Sequence, residues 1–241
     1  MAPHVLRSLL LVLTACTLTG IAAAQEQPAV TTNSAELTTD YRLTAEDVVR
    51  PAGLPEIGKW MLDPDGTPAH WLGEIVHGKA LREPINVIIL DTRPGSAEDA
   101  RARLRAAAAL AGYPVRLGHS SGYHGSIARQ LYSQVSASEG HAFSDEPFVV
   151  DNNHGRIFGP YESPEGFLFI GAFSRESVRP FSNPKHQYVS FNRARDDFSE
   201  RLDQRTEFKR VRFIDLKNAL VADPEVTTGD HDGMAIFLQA Q

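Results

Sequence analysis

The sequence predicts an α+β fold: a two-layer sandwich of two helices on a mixed, mostly antiparallel sheet, after an N-terminal signal segment and a tether. Three observations predict it. The run Pro84-Ile85-Asn86-Val87-Ile88-Ile89-Leu90-Asp91 is apolar and β-branched enough for a central strand buried on both faces. Two stretches, one after Ser96 and one after Asn192, combine apolar residues at helical spacing with capping signals. Elsewhere the chain breaks into short apolar runs divided by turn residues, which suits antiparallel strands.

In chain order, residues 1–24 have the layout of a signal peptide. Arg7 supplies the positive end, Leu9 to Leu13 the apolar heart, and Ala22-Ala23-Ala24 a small-residue cleavage site before Gln25. Leu13-Thr14-Ala15-Cys16 also has the layout of a lipobox, so cleavage before Gln25 and lipidation of Cys16 stand as alternatives. With its threonines and a glycine the segment makes a poor membrane span. The expectation is therefore an exported protein, periplasmic or secreted, or alternatively lipid-anchored, touching the membrane only through Cys16. Cys16 is the sole cysteine, so no disulfide staples the domain, and its core or a bound ion must hold it in an oxidising compartment.

Residues 25–55 read as a tether, with one short helix starting at the capping pattern Thr44-Ala45-Glu46-Asp47. The domain follows as 56–241, with its core in 83–216. Asp63-Pro64-Asp65-Gly66 is a turn between Lys59-Trp60-Met61-Leu62 and the run from His70 to His77, giving a hairpin or two edge strands with Trp60 and Trp71 facing each other or the core. After the central strand, Ser96 is the N-cap of a first helix with Glu98 and Asp99 in its first turn. Ala97, Ala100, Leu104, Ala107, Ala108 and Ala111 fall at helical spacing as its small-residue face, and Gly112 stops it. Tyr113 to Leu117 is the next strand. Four more are predicted at Phe148 to Val150, Arg156 to Phe158, Phe167 to Phe173 and Gln187 to Phe191, forming consecutive antiparallel pairs. The second helix starts from Asn192 as N-cap and turns Ala194, Phe198 and Leu202 inward. Strands at Arg210 to Leu216 and Met234 to Leu238 close the chain.

Charge excludes one class of partner. The net charge is −6, and the arginines of both helices are interleaved with acidic residues, so there is no basic stripe for nucleic acid.

Glu83 to Leu90, the turn and strand His154-Gly155-Arg156-Ile157-Phe158, Phe169-Ile170-Gly171-Ala172-Phe173 and the helix around Asp196-Asp197-Phe198-Ser199-Glu200-Arg201 together resemble the LssY C-terminal-like domain family. The resemblance covers about residues 83 to 216. It implies a bacterial envelope protein, since that family occurs attached to membrane phosphatase-like segments or alone in the envelope. The chain departs from the family pattern at Phe191 and Asn192, where a histidine is usual, and from His119 to Asp151.

The candidate site is organised around Asp151 to Pro160, read as a polar turn carrying His154 and Arg156 beside the most buried strand. His119, His124, His141, His154 and His186 all fall between the two helices. His119 and His124 project from the glycine-rich loop 118–126, the kind of segment on which binding groups collect. Convergence of His119, His124, His154 and His186 would give a nitrogen site for zinc or another borderline ion with an open position for water. The alternative is that these imidazoles are solvated or hydrogen-bonded in the ordinary way. His119, His124, Asn153, His154 and Arg156 are also the candidate contacts for a small anionic or envelope ligand, with Arg156 as a bidentate clamp. Its alternative is an ion pair with Asp151 or Glu162 in a tight hairpin turn. Asp230-His231-Asp232-Gly233 reads as a turn, because the later carboxylate of a calcium loop is missing. Ser120 and Ser121 lack the strand-to-helix elbow of a serine nucleophile. The sequence thus predicts a non-catalytic, exported binding or accessory domain of the cell envelope, with a metal-assisted hydrolase using loop histidines as the alternative.

Overall fold

The computed structural model describes residues 42–76, 79–136, 141–181, 185–220 and 230–241, with the backbone alone for 71–76, 79 and 80. The signal segment, Cys16, most of the tether, His77 and the side chain of Trp71 lie outside the described residues. The elements in chain order are β1 (Val48–Val49), β2 (Ile57–Gly58), β3 (His70–Val76), β4 (Lys79–Arg82), β5 (Val87–Asp91), α1 (Ala97–Leu110) and β6 (Val115–Leu117). Then come β7 (His124–Ile127), β8 (Gln130–Ser133), β9 (His141–Ser144), β10 (Asn152–Ser163), β11 (Gly166–Val178), β12 (His186–Ser190), α2 (Phe191–Arg205), β13 (Phe208–Asp215) and β14 (Met234–Ala240).

The main sheet has the order β13-β14-β5-β11-β10-β9-β6, with β12 added to β11. Only the β14 and β5 pair is parallel; the others run antiparallel, as predicted. Strand alternation divides the apolar residues between two faces. Val87, Ile89, Ile157, Phe169 and Phe173 meet Leu104, Ala107, Phe198 and Leu202 of the two helices. Ile88, Leu90, Phe158, Ile170 and Ala172 point the other way, against Ile57, Met61, Ile127 and Tyr132. The helices therefore cover one face of the sheet, and a small sheet, β1-β2-β7-β8, covers part of the other. That second cover comes from segments whose sequence reads as the end of the tether and a glycine loop.

Local chemistry accounts for the element boundaries. Ser96 caps α1 with a complete capping box to Asp99, and Gly112 follows its end at φ +87°. The helix's alanine face lets it lie close on the sheet. Helix α2 starts two residues before the predicted N-cap: Ser190 accepts from the Arg193 amide, and Asp230 accepts from the Phe191 amide. Phe191 packs with Trp60, Leu81 and Leu220, which fixes the helix start there instead of at Asn192. Phe148-Val149-Val150 is a turn, closed by Val150 N–H to Pro147 O, and the neighbouring strand is β9. Thr44 and Asp47 close an isolated turn before β1, not a helix. A narrow hairpin joins Met61 to Ala69 around Gly66, as the Asp63 to Gly66 turn predicts, while the Trp60 ring lies under the Arg82 guanidinium at 5.2 Å. Among the described residues no helix is long and apolar enough to cross a membrane.

One irregularity places the site. Strand β11 pairs with β5 only as far as Gly171, then with β12 from Arg175 onward on the same edge. In the gap, the buried Asn86 amide donates to Phe173 O (2.8 Å) and accepts from Phe173 N (3.0 Å), replacing a missing strand partner. Beyond that junction β11 carries Glu176, one of the groups of the candidate site.

Candidate metal centre

Asp151 to Pro160 is not a turn. From Asn152 onward it is strand β10, paired with β11 from Asn152 opposite Glu176 to Phe158 opposite Ile170. The two-residue period sends Asn152, His154 and Arg156 to the face opposite the helices, and Asn153 and Gly155 toward them. Asn153 accordingly bonds Asp145 and reaches Asp197 of α2, so it is parted from His154. With Arg175, Arg193, Asp196 and Glu200 it lines an open cleft of about 490 Å³ on the helix side. Gly155 is required where it stands, because a Cβ there would lie 2.4 Å from the Phe173 ring.

On the other face His119, His154 and Glu176 converge, all three buried, each with one ligand atom within 4.8 Å of the others. The His119 and His154 rings stack at 4.7 Å. Asn152 organises the pair of strand ligands. Its Nδ2 donates to Val150 O and to Glu176 Oε1, both at 2.8 Å, which leaves its Oδ1 facing His154 Nδ1 at 2.9 Å. With both amide protons so engaged, Oδ1 can only accept, His154 carries its proton on Nδ1, and its Nε2 lone pair is left for a ligand. Among the described residues His119 Nε2 is buried with no hydrogen-bond partner. Burial, reinforced by the Arg156 charge, holds His119 down to about 4 and His154 well below its ordinary value, so both rings are neutral at pH 7, the form that binds metal.

The surroundings are polar and charged within an apolar frame. His186 Nδ1 lies 3.1 Å from Glu176 Oε1 and its ring stacks on Phe148 at 6.3 Å. Phe148 also meets His119 edge-on and covers Gly118, whose missing side chain makes room for it. Arg156 holds the loop through Nη2 to Ser120 O and Oγ (3.2 and 3.1 Å) and lies over the Tyr123 ring at 5.1 Å. It pairs with neither Asp151 nor Glu162. Glu83, buried and within range of the Arg156 and Glu176 charges, is pushed up to about 7, with burial the main cause, Arg156 opposing it and Glu176 adding to it.

The convergence foreseen among the histidines is therefore partial. His119 and His154 meet, and His186 stands beside Glu176. His124 begins β7, exchanges backbone hydrogen bonds with Leu62, and lines a separate groove with Tyr123 and Gln134. Glu176, Asn152 and Glu83 join the site without a sequence signal of their own: Glu176 sits in Ser-Arg-Glu-Ser and is placed only by the strand register. No family model, curated protein or solved structure matches the chain. The site is read from its own chemistry.

Two imidazoles and one carboxylate form a set that zinc takes in catalytic sites and ferrous iron in facial triads, each with open positions for water or substrate. Bonds of about 2.0–2.2 Å set tetrahedral ligand atoms roughly 3.4 Å apart. Starting from at most 4.8 Å, the three would close by no more than about 1.4 Å, within side-chain adjustment. His119 Nε2 gains the partner that burial otherwise denies it.

Proposed function

We propose that the chain is a metal-assisted hydrolase in which His119, His154 and Glu176 hold a divalent borderline ion, zinc foremost. The observation that carries this reading is the bare, buried Nε2 of His119 beside two further ligand groups, one already set in its ligating tautomer. A three-ligand set leaves a position for water, whose pKa the ion lowers. Glu83, whose carboxyl is raised by burial to about 7 and feels the Glu176 charge, is our candidate to accept a proton from that water. Elemental analysis of the untagged protein, repeated on His119→Ala, tests the metal. One equivalent in the wild type and loss in the variant is the expected result; a folded wild type that takes up no zinc on dialysis sinks the proposal. Turnover on a phosphoester and ester panel, abolished by chelation, tests the hydrolase.

A second reading, an exported binding domain without turnover, is favoured by the mixed-charge cleft on the helix side. Metal uptake with no turnover across the panel would select it. Both readings carry the proposal of export to the bacterial envelope, supported by the layout of residues 1–24 and by the LssY-like segments, and tested by fractionation and mass analysis of the mature N-terminus.

A further inference from the structure

Arg156 borders the proposed centre without belonging to its ligand set. It stands one strand repeat beyond His154 on the same face and is 4% exposed. Among the described residues no carboxylate lies within ion-pair distance of it. Its Nη2 is committed to Ser120 and its plane rests over Tyr123, yet its Nε is buried with no hydrogen-bond partner. Ala172 lies directly opposite in the register, so no long side chain stands across from the guanidinium. A buried cation is costly unless something pairs with it, and Glu83, the buried carboxyl that feels the Arg156 charge, stands beyond ion-pair distance with its pKa raised to about 7. With Nη2 taken by Ser120, the Nε–H is the buried donor left for an oxygen of a carboxylate or phosphate, which the guanidinium charge also attracts. Tyr123 and Ser120 hold the guanidinium in place before any ligand arrives, and its charge already reaches both imidazoles of the centre.

We propose that Arg156 binds the oxyanion group, phosphate or carboxylate, of a small-molecule substrate of this site. The inference rests on the metal-centre reading for the word substrate, while the anion site itself rests on Arg156 alone. Inorganic phosphate and acetate are the probes, titrated calorimetrically into zinc-treated wild type, Arg156→Gln, Arg156→Lys and His119→Ala, with zinc content measured on each. Binding of one probe by the wild type is expected, weakened at least tenfold in Arg156→Lys and lost in Arg156→Gln, with zinc content unchanged. Which probe binds tells phosphate from carboxylate. If Arg156→Gln does not fold, Arg156→Lys decides by itself, since it keeps the charge and loses the Nε–H donor. Equal affinity in wild type and the Arg156 variants, or no binding of either probe by the wild type, overturns the proposal. Arg156-dependent binding that survives in zinc-free His119→Ala upholds the anion site. Failure of the wild type to take up zinc, by contrast, removes the metal reading alone.

Discussion

Asn152→Ala tests how the centre is organised. The side chain makes three hydrogen bonds, two at 2.8 Å from Nδ2 and one at 2.9 Å to Oδ1. Truncation leaves the buried His154 Nδ1–H without an acceptor and takes a donor from Glu176 in a water-poor site. Each buried orphan costs about 1–3 kcal/mol, so with two of them the metal-free fold should lose roughly 2–6 kcal/mol. Metal binding should weaken separately, because His154 loses the partner that fixes its tautomer and ring angle. Partners of this kind contribute about 10–100-fold in affinity, or about 1.4–2.7 kcal/mol. Urea denaturation of the metal-free protein gives the first quantity, and competition for zinc against a chromophoric chelator gives the second. Zinc affinity within threefold of wild type, in a variant still folded at the assay temperature, would refute the argument that Asn152 positions the ligands.

Three further outcomes are expected. Glu83→Gln keeps its zinc but loses about 10²–10⁴ in turnover. Because the folded pKa of Glu83 (about 7) exceeds the ordinary 4.5, its ionisation opposes folding as pH rises from 4.5 to 7, so the variant should gain about 3 kcal/mol over wild type at pH 8 and nothing at pH 4, read from denaturation midpoints. His231 has the opposite sign. Burial holds its folded pKa to about 4, so the unfolded chain binds the extra proton between pH 6.5 and 4 and stability is lost as pH falls through that window; His231→Gln, which can still donate to Asn218, should flatten the loss by about 3 kcal/mol. Asn86→Ala strips both hydrogen bonds from Phe173 in full burial and should cost about 2–6 kcal/mol in urea melts, whereas a loss under 1 kcal/mol would show that water or strand movement replaces the amide.

What the sequence made legible follows from range. Strand β5 and helix α1 are written locally, one in an unbroken apolar run and the other in the Ser96 to Asp99 capping box, and both stand as predicted. The α+β sandwich follows from them. The hairpin of β7 and β8 was hidden because Ala128 and Arg129, not Asn-Gly, occupy its two positive-φ positions. Phe148 to Val150 imitates a strand in composition, yet Phe148 is apolar because it shields His119 and His186. His119, His154 and His186 could be named because histidine is scarce and informative. Glu176 could not, since its role exists only through the pairing of β11 with β10, and no spacing along one strand encodes a partner on another. The same period explains the misplacement of Asn153: adjacency to His154 in a strand puts it on the opposite face.

The forked edge of β11 bears on how motion is distributed. Residues up to Gly171 are clamped between β10 and the central β5, while 174–178 are held by β10 and by β12, which lies off the main strand path and pairs with β11, with the Asn86 amide as the joint. Amide exchange should therefore be slowest along β5 and the first half of β11, with the second half opening in smaller, cheaper excursions. An ion gripping Glu176, His154 and His119 would tie that second half to the 118–123 loop and slow exchange there selectively. On this reading β5 and the first half of β11 form the stiffer platform, and an ion at the centre would stiffen the 174–178 margin most.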